Sequence, residues 1–126
     1  MPVEHIQPSI KAKDQLIVLK RRTGIENWNT LSRWALCVSL AEPSRPPEAR
    51  HPADGPIQMD WRTFAGALDE VYWALLRERC VIDGLDPTDE EVVAKEFRLH
   101  LHRGISYLAG DKNMASVADL VRRVVG

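Results

Sequence analysis

Five prolines fall between positions 43 and 56, in the stretch Glu-Pro-Ser-Arg-Pro-Pro-Glu-Ala-Arg-His-Pro-Ala-Asp-Gly-Pro that starts at Glu42. No other feature limits the fold so strongly. Proline lacks a backbone N–H and fixes φ, so this stretch can join neither a helix interior nor the middle of a sheet. It predicts an extended connector over about 42–56 that wraps the surface and divides the chain into two helical groups. The other boundaries are also punctuated. Pro2 and Pro8 bracket Val-Glu-His-Ile-Gln, a short segment expected to be extended. Ser9 can cap a first helix from Ile10 to Thr23, with Gly24 as its left-handed terminator. Asn27 can cap a second, from Trp28 to about Ala41.

Beyond the connector, Trp61, Phe64, Leu68, Val71 and Leu75 recur at helical spacing after Asp60 and predict a third helix with one apolar face. Asp-Gly-Leu-Asp-Pro ends it. Thr88 and Glu91 have the spacing of a capping box for a fourth helix, whose face carries Val93, Phe97, Leu101, Gly104 and Leu108. Ala-Gly-Asp-Lys-Asn closes that helix, and a last one gathers Val117, Leu120, Val121 and Val124. The expected fold is all-α. It is a small helical domain with a ribbon-helix-helix-like N-terminal unit, meaning a short extended segment then two helices, followed by three more helices. At 126 residues, 1–126 reads as a single domain.

On the second helix, Trp28, Leu31, Ala35 and Val38 form a stripe that Trp34 widens, while Leu36 and Leu40 point elsewhere. A helix apolar on several sides needs cover on several sides. Trp28, Leu31, Trp34, Leu36 and Leu40 are therefore the candidate oligomer interface, and a homo-oligomer is expected. The alternative is cover from the connector and the C-terminal helices of the same chain.

The net charge of −1 argues against a generic nucleic-acid sponge, but its distribution is uneven. Residues 1–40 hold six basic and three acidic side chains, and the remainder holds eleven and fifteen. Lys20, Arg21 and Arg22 suit the negative end of a helix dipole. Lys11 and Lys13 stand near the unfavourable, positive end, which points to another partner, phosphate being the obvious one. Lys13 and Lys20 share one face of the first helix, Lys11 and Arg22 a different face, and Arg21 lies beside Asp14. Lys11, Lys13, Lys20, Arg21, Arg22 and, on the second helix, Arg33 are the candidate DNA-binding residues.

Little in the sequence suggests catalysis. His100 and His102 are two apart, so a regular helix cannot bring them to one metal; His100 is expected to be packed, and His102 to face solvent with Arg103. His5 and His51 sit in irregular segments, and Asp89, Glu90 and Glu91 are what a helix N-terminus attracts. No phosphate-cradling glycine loop is present, and neither Cys37 nor Cys80 has an evident base. Both cysteines are expected to pack in the core as reduced thiols. No catalytic residue, metal or cofactor is expected. With no apolar leader and no run near the roughly 18 residues that span a bilayer, a cytoplasmic protein without a membrane partner is expected.

Three long blocks carry a resemblance. "AKDQLIVLKRRTGIENWNTLSRWALCVSLAEPSRPP", "MDWRTFAGALDEVYWALLRERC" and "FRLHLHRGISYLAG" resemble the DndE family of DNA sulfur modification proteins, from about Ile6 to Gly110. The resemblance implies an accessory protein of DNA phosphorothioation, in which sulfur replaces a non-bridging phosphate oxygen. It implies a helical tetramer that binds double-stranded DNA, with nicked duplex preferred, through a basic surface. Carried over by position, that surface is Lys11, Lys13, Lys20, Arg21 and Arg22. The implied partners are a cysteine desulfurase, an ATP-dependent sulfur transferase and an ATPase subunit. Some relatives are associated with nicking, for which the ligands here would have to come from more than one subunit. Two other readings of the residues stay open. One is a ribbon-helix-helix transcriptional regulator, with Glu4, His5 and Gln7 facing base edges. The other is an adaptor for the modification enzymes that does not bind DNA.

Overall fold

The computed structural model describes residues 5–125; Pro2, Glu4 and the side chain of Val124 lie outside the described residues. Strand β1 (His5–Ile6) leads into α1 (Ile10–Thr23) and α2 (Trp28–Ala41). After the connector come β2 (Met59–Asp60), α3 (Trp61–Ala65), a 3₁₀ turn (Gly66–Leu68), α4 (Asp69–Ile82), α5 (Glu90–Gly110) and α6 (Val117–Val125). The helical N-terminal pair has the expected bounds and caps. Ser9 accepts from the Ala12 N–H, Asn27 from those of Asn29 and Thr30, and Gly24 stands at φ 76°.

The opening segment is extended, as expected, and β1 pairs antiparallel with β2 of the same chain, His5 opposite Asp60 and Ile6 opposite Met59. Two expectations are corrected. The third helix is broken, because Gly66 at φ 63° turns the chain between α3 and α4. Its apolar set divides there. Trp61 and Phe64 are buried, while Leu68, Val71 and Leu75 are 55%, 51% and 44% exposed. The start of α5 is capped by Asp89, which accepts from the Glu91 and Val92 N–H groups. Thr88 instead donates both its N–H and its hydroxyl to Asp86, at 2.9 and 2.6 Å, so its N–H is not left for Glu91.

Helix α5 is the axis of the molecule and packs most extensively on α2, then on α1. All five face residues expected from periodicity are buried. A Cβ on Gly104 would overlap the carbonyl of Ala35, so this glycine permits the close approach of α5 to α2. Trp61, Phe64 and Phe97 fill the other side of α2 with ring centroids 5.3–5.5 Å apart. Burying such a ring stabilises by roughly 1.5–3 kcal/mol relative to leaving it exposed. Leu31 and Leu36 are thereby fully enclosed by their own chain. Only Trp28, Trp34 and Leu40 of the five interface candidates keep exposed area. On α6, Leu120 is buried while Val117 and Val121 are exposed.

Candidate nucleic-acid interface

The connector is held down by arginines. Helix α2 ends without a basic residue or a terminating glycine, so its last carbonyls need outside donors. Arg103 of α5 donates from Nη2 to the Ser39 carbonyl at 2.7 Å and from Nη1 to that of Ser44 at 2.8 Å. Arg79 of α4 donates to the carbonyls of Leu40, Glu42 and Ser44, and pairs with Asp83 at 3.2 Å. Further along, Arg45 grips Glu96 through two bonds of 2.9 and 3.0 Å. Arg98 donates to the carbonyls of Gln7 and His51, and the Gly55 N–H to that of Pro8.

This strap corrects the placing of His102 and Arg103. They are 5% and 7% exposed, not solvent-facing, because the connector folds over them. His51 of the connector stacks on His102, centroids 4.1 Å apart and planes 14° apart. The His102 Nδ1 lies 2.8 Å from the Arg98 carbonyl, which can only accept, so Nδ1 carries the proton. Its Nε2 then accepts from the Ser9 N–H at 3.3 Å. Burial, outweighing the bond to the Arg98 carbonyl, holds its pKa down at about 4. His100 is packed as expected, 2.8 Å from the Ser39 hydroxyl, and burial followed by the charges of Arg103, Arg79 and Arg45 lowers its pKa to about 3. Its Nε2 is buried without a hydrogen-bond partner among the described residues.

The connector, α1 and the C-terminal half of α5 enclose a surface trough. One end is a cavity of about 400 Å³ bounded by Lys11, Arg50, His51 and Asp54. The other, of about 690 Å³, runs past Val18 and Ala109 to Arg22. Ile10, Lys11, Gln15 and Ser106 line both, so they form one channel. At His51 burial first, and then the charges of Arg98 and Lys11, lower the pKa.

The six basic candidates do not form one set. Lys11, Arg21 and Arg22 are exposed, with Arg22 also donating to the Ala109 carbonyl at 3.0 Å. Lys13 is half-buried and takes Asp14 at 2.9 Å, the carboxylate expected beside Arg21. Lys20 lies with its Nζ 4.8 Å from the centre of the Trp28 ring. Arg33 is turned inward, donating to the Phe64 carbonyl at 2.7 Å and to Thr30 at 3.2 Å, and so ties α2 to α3. Arg50 went unnoticed in the sequence, since only the folded connector brings it beside Lys11. Cys80 is buried and Cys37 half-buried, and burial raises both thiols. Among the described residues no three His, Cys, Asp or Glu side chains converge as metal ligands, and no helix is long and apolar enough to cross a membrane.

Fold and site together define a small helical domain whose connector is strapped onto a central helix beside a cationic trough. The chain belongs to the DndE family: residues 5–116 match the sequence profile described as DNA sulphur modification protein DndE. Its role therefore lies in DNA phosphorothioation. The crystal structure of DndE from Escherichia coli B7A, involved in DNA phosphorothioation modification, is similar at 25% identity and TM-score 0.68, covering 83% of this chain and 95% of that one. A DndE glycine-to-lysine mutant shares the fold at 22% identity and TM-score 0.64, over 86% and 98%. No curated protein matches the chain.

Proposed function

We propose that this chain is a non-catalytic accessory subunit of DNA phosphorothioation that binds duplex DNA, nicked duplex by preference, through its phosphate backbone. It would work in the cytoplasm as a homo-oligomer, a tetramer, beside the desulfurase, the ATP-dependent sulfur transferase and the ATPase subunit. The observation that carries this reading is the family match together with exposed cations on α1, Lys11 among them at the end where the dipole does not call for it. A nick is recognised by shape and flexibility, for which no base-reading side chain is required.

The regulator reading is separated by sequence preference: a fixed operator with set half-site spacing would favour it, and equal affinity for unrelated sequences would not. The adaptor reading is separated by salt. Binding to intact, nicked and single-stranded DNA of equal length is to be measured at several salt concentrations, with the solution mass determined alongside. Contacts to about four to six phosphates give a log–log slope of roughly −4 to −5. Salt-sensitive binding that favours the nick, from an oligomer, supports the proposal. Absence of binding to all three substrates overturns it in favour of the adaptor.

A further inference from the structure

We infer that the trough between α1, the connector and α5 is the seat of one DNA strand's sugar–phosphate backbone, with Lys11 and Arg50 holding phosphate at one end and Arg22 at the other. The inference rests on the DNA-binding reading above and says which of the two basic faces of α1 is used. Lys13 and Lys20 lie on the face whose charges are already engaged, by Asp14 and by the Trp28 ring. Lys11 and Arg50 have no hydrogen-bond or ion-pair partner among the described residues, and both line the trough. Arg22 is held toward it by the Ala109 carbonyl, which occupies one donor and leaves the others of its guanidinium.

The dimensions suit a strand. Lys11 and Arg22 are three helical turns apart, about 16 Å along the axis, whereas each strand of a duplex carries a charge about every 3.4 Å of rise. The trough can therefore span several phosphates, with cations near both ends. Between them, besides Asp14, Gln15 and Ser106 offer polar groups, and Ile10, Val18 and Ala109 offer apolar surface for sugars. The two bordering carboxylates are occupied, Asp14 by Lys13 and Asp54 by the Ile10 N–H at 3.0 Å.

The test compares four full-length proteins on a labelled nicked duplex at two salt concentrations, with mass and helix content recorded. They are the wild type, Lys11→Glu with Arg50→Glu, Ser106→Glu, and a control, Arg62→Glu with Arg77→Glu. The control makes the same charge change at exposed positions on α3 and α4, away from the trough. Two lost charge-assisted contacts weaken binding about a hundredfold, and the salt slope flattens by about two. Ser106→Glu, blocking the middle, also weakens it, and the control stays near wild type. If Lys11→Glu with Arg50→Glu alters the helix content, Lys11→Ala with Arg50→Ala replaces it in the comparison. If the wild type binds and the control loses as much as the trough variants, the trough is overturned while the DNA reading stands. If the trough variants change mass but keep affinity, the trough is a contact between copies and the inference fails. If the wild type does not bind, both readings fail together.

Discussion

At the scale of single residues, two buried histidines two positions apart make opposite arrangements. His102 donates from Nδ1 and accepts at Nε2, so a second proton would set two N–H groups against each other at Ser9. His100 sits among three arginines, whose charges oppose its protonation. With folded pKa values of about 4 and about 3, both lie below the ordinary value of about 6.5. The unfolded chain then binds more protons than the native one, so stability is complete above about pH 6.5 and is lost as pH falls toward 4 and 3. Each histidine contributes up to about 1.4 kcal/mol per pH unit in that window. Urea unfolding at pH 7.5 and at lower pH values should show the decline, and His102→Gln should make it shallower; equal slopes for variant and wild type would refute the assignment to His102. Ser9, Asn27 and Gly24 were legible in the sequence because a cap acts on its own first or last turn. His102, Arg103 and Arg50 were not, because their surroundings come from a segment about fifty residues away along the chain. The inward turn of Arg33 was not legible for the same reason: its partner, the Phe64 carbonyl, lies across the fold.

At the scale of elements, periodicity placed α1, α2 and the buried face of α5, where one apolar face meets one core. It failed where a short local event interrupts it. Gly66 breaks a run whose spacing continues as if nothing had happened, and β2 is two residues long with no alternation to read. The connector was legible as non-helical from its prolines, but not as a strap, since proline says what a chain cannot do and nothing about what holds it. Arg79 is a main holder. Its removal takes away three charge-assisted bonds to carbonyls of residues 40, 42 and 44 and leaves Asp83 unpaired. Arg79→Ala should therefore destabilise by roughly 2–4 kcal/mol. It should also speed tryptic cleavage in the connector, after Arg50, more than cleavage elsewhere. Uniform acceleration at all sites would mean that Arg79 supports the whole fold and not the strap.

At the scale of the whole molecule, only Lys11 and Arg22 of the first third's basic residues line the trough, where Arg50 of the connector joins them, while carboxylates of the remainder pair elsewhere: Glu96 on Arg45, Glu48 on Lys95, Asp83 on Arg79. The family and its fold were readable from long blocks of sequence, whereas the candidate oligomer interface was read from α2, where the chain itself covers Leu31 and Leu36. Part of the exposed apolar area lies on the 3₁₀ turn and α4. There Leu68, at the end of the turn, and Val71 and Leu75, on α4, follow one another at steps of three and four and are open to water. Three neighbouring apolar side chains suit a contact between copies better than a solvent boundary. For the proposed homo-oligomer, Val71→Asp with Leu75→Asp should lower the solution mass toward that of one chain, with helix content retained because both positions are exposed. Avidity for DNA should fall with it, since linked sites bind far more tightly than separate ones. Sedimentation of this variant beside Trp28→Ala and Trp34→Ala decides between the two faces. If the α2 variants dissociate and the α4 variant does not, the contact uses the exposed edges of Trp28 and Trp34 and the α4 stripe serves another partner.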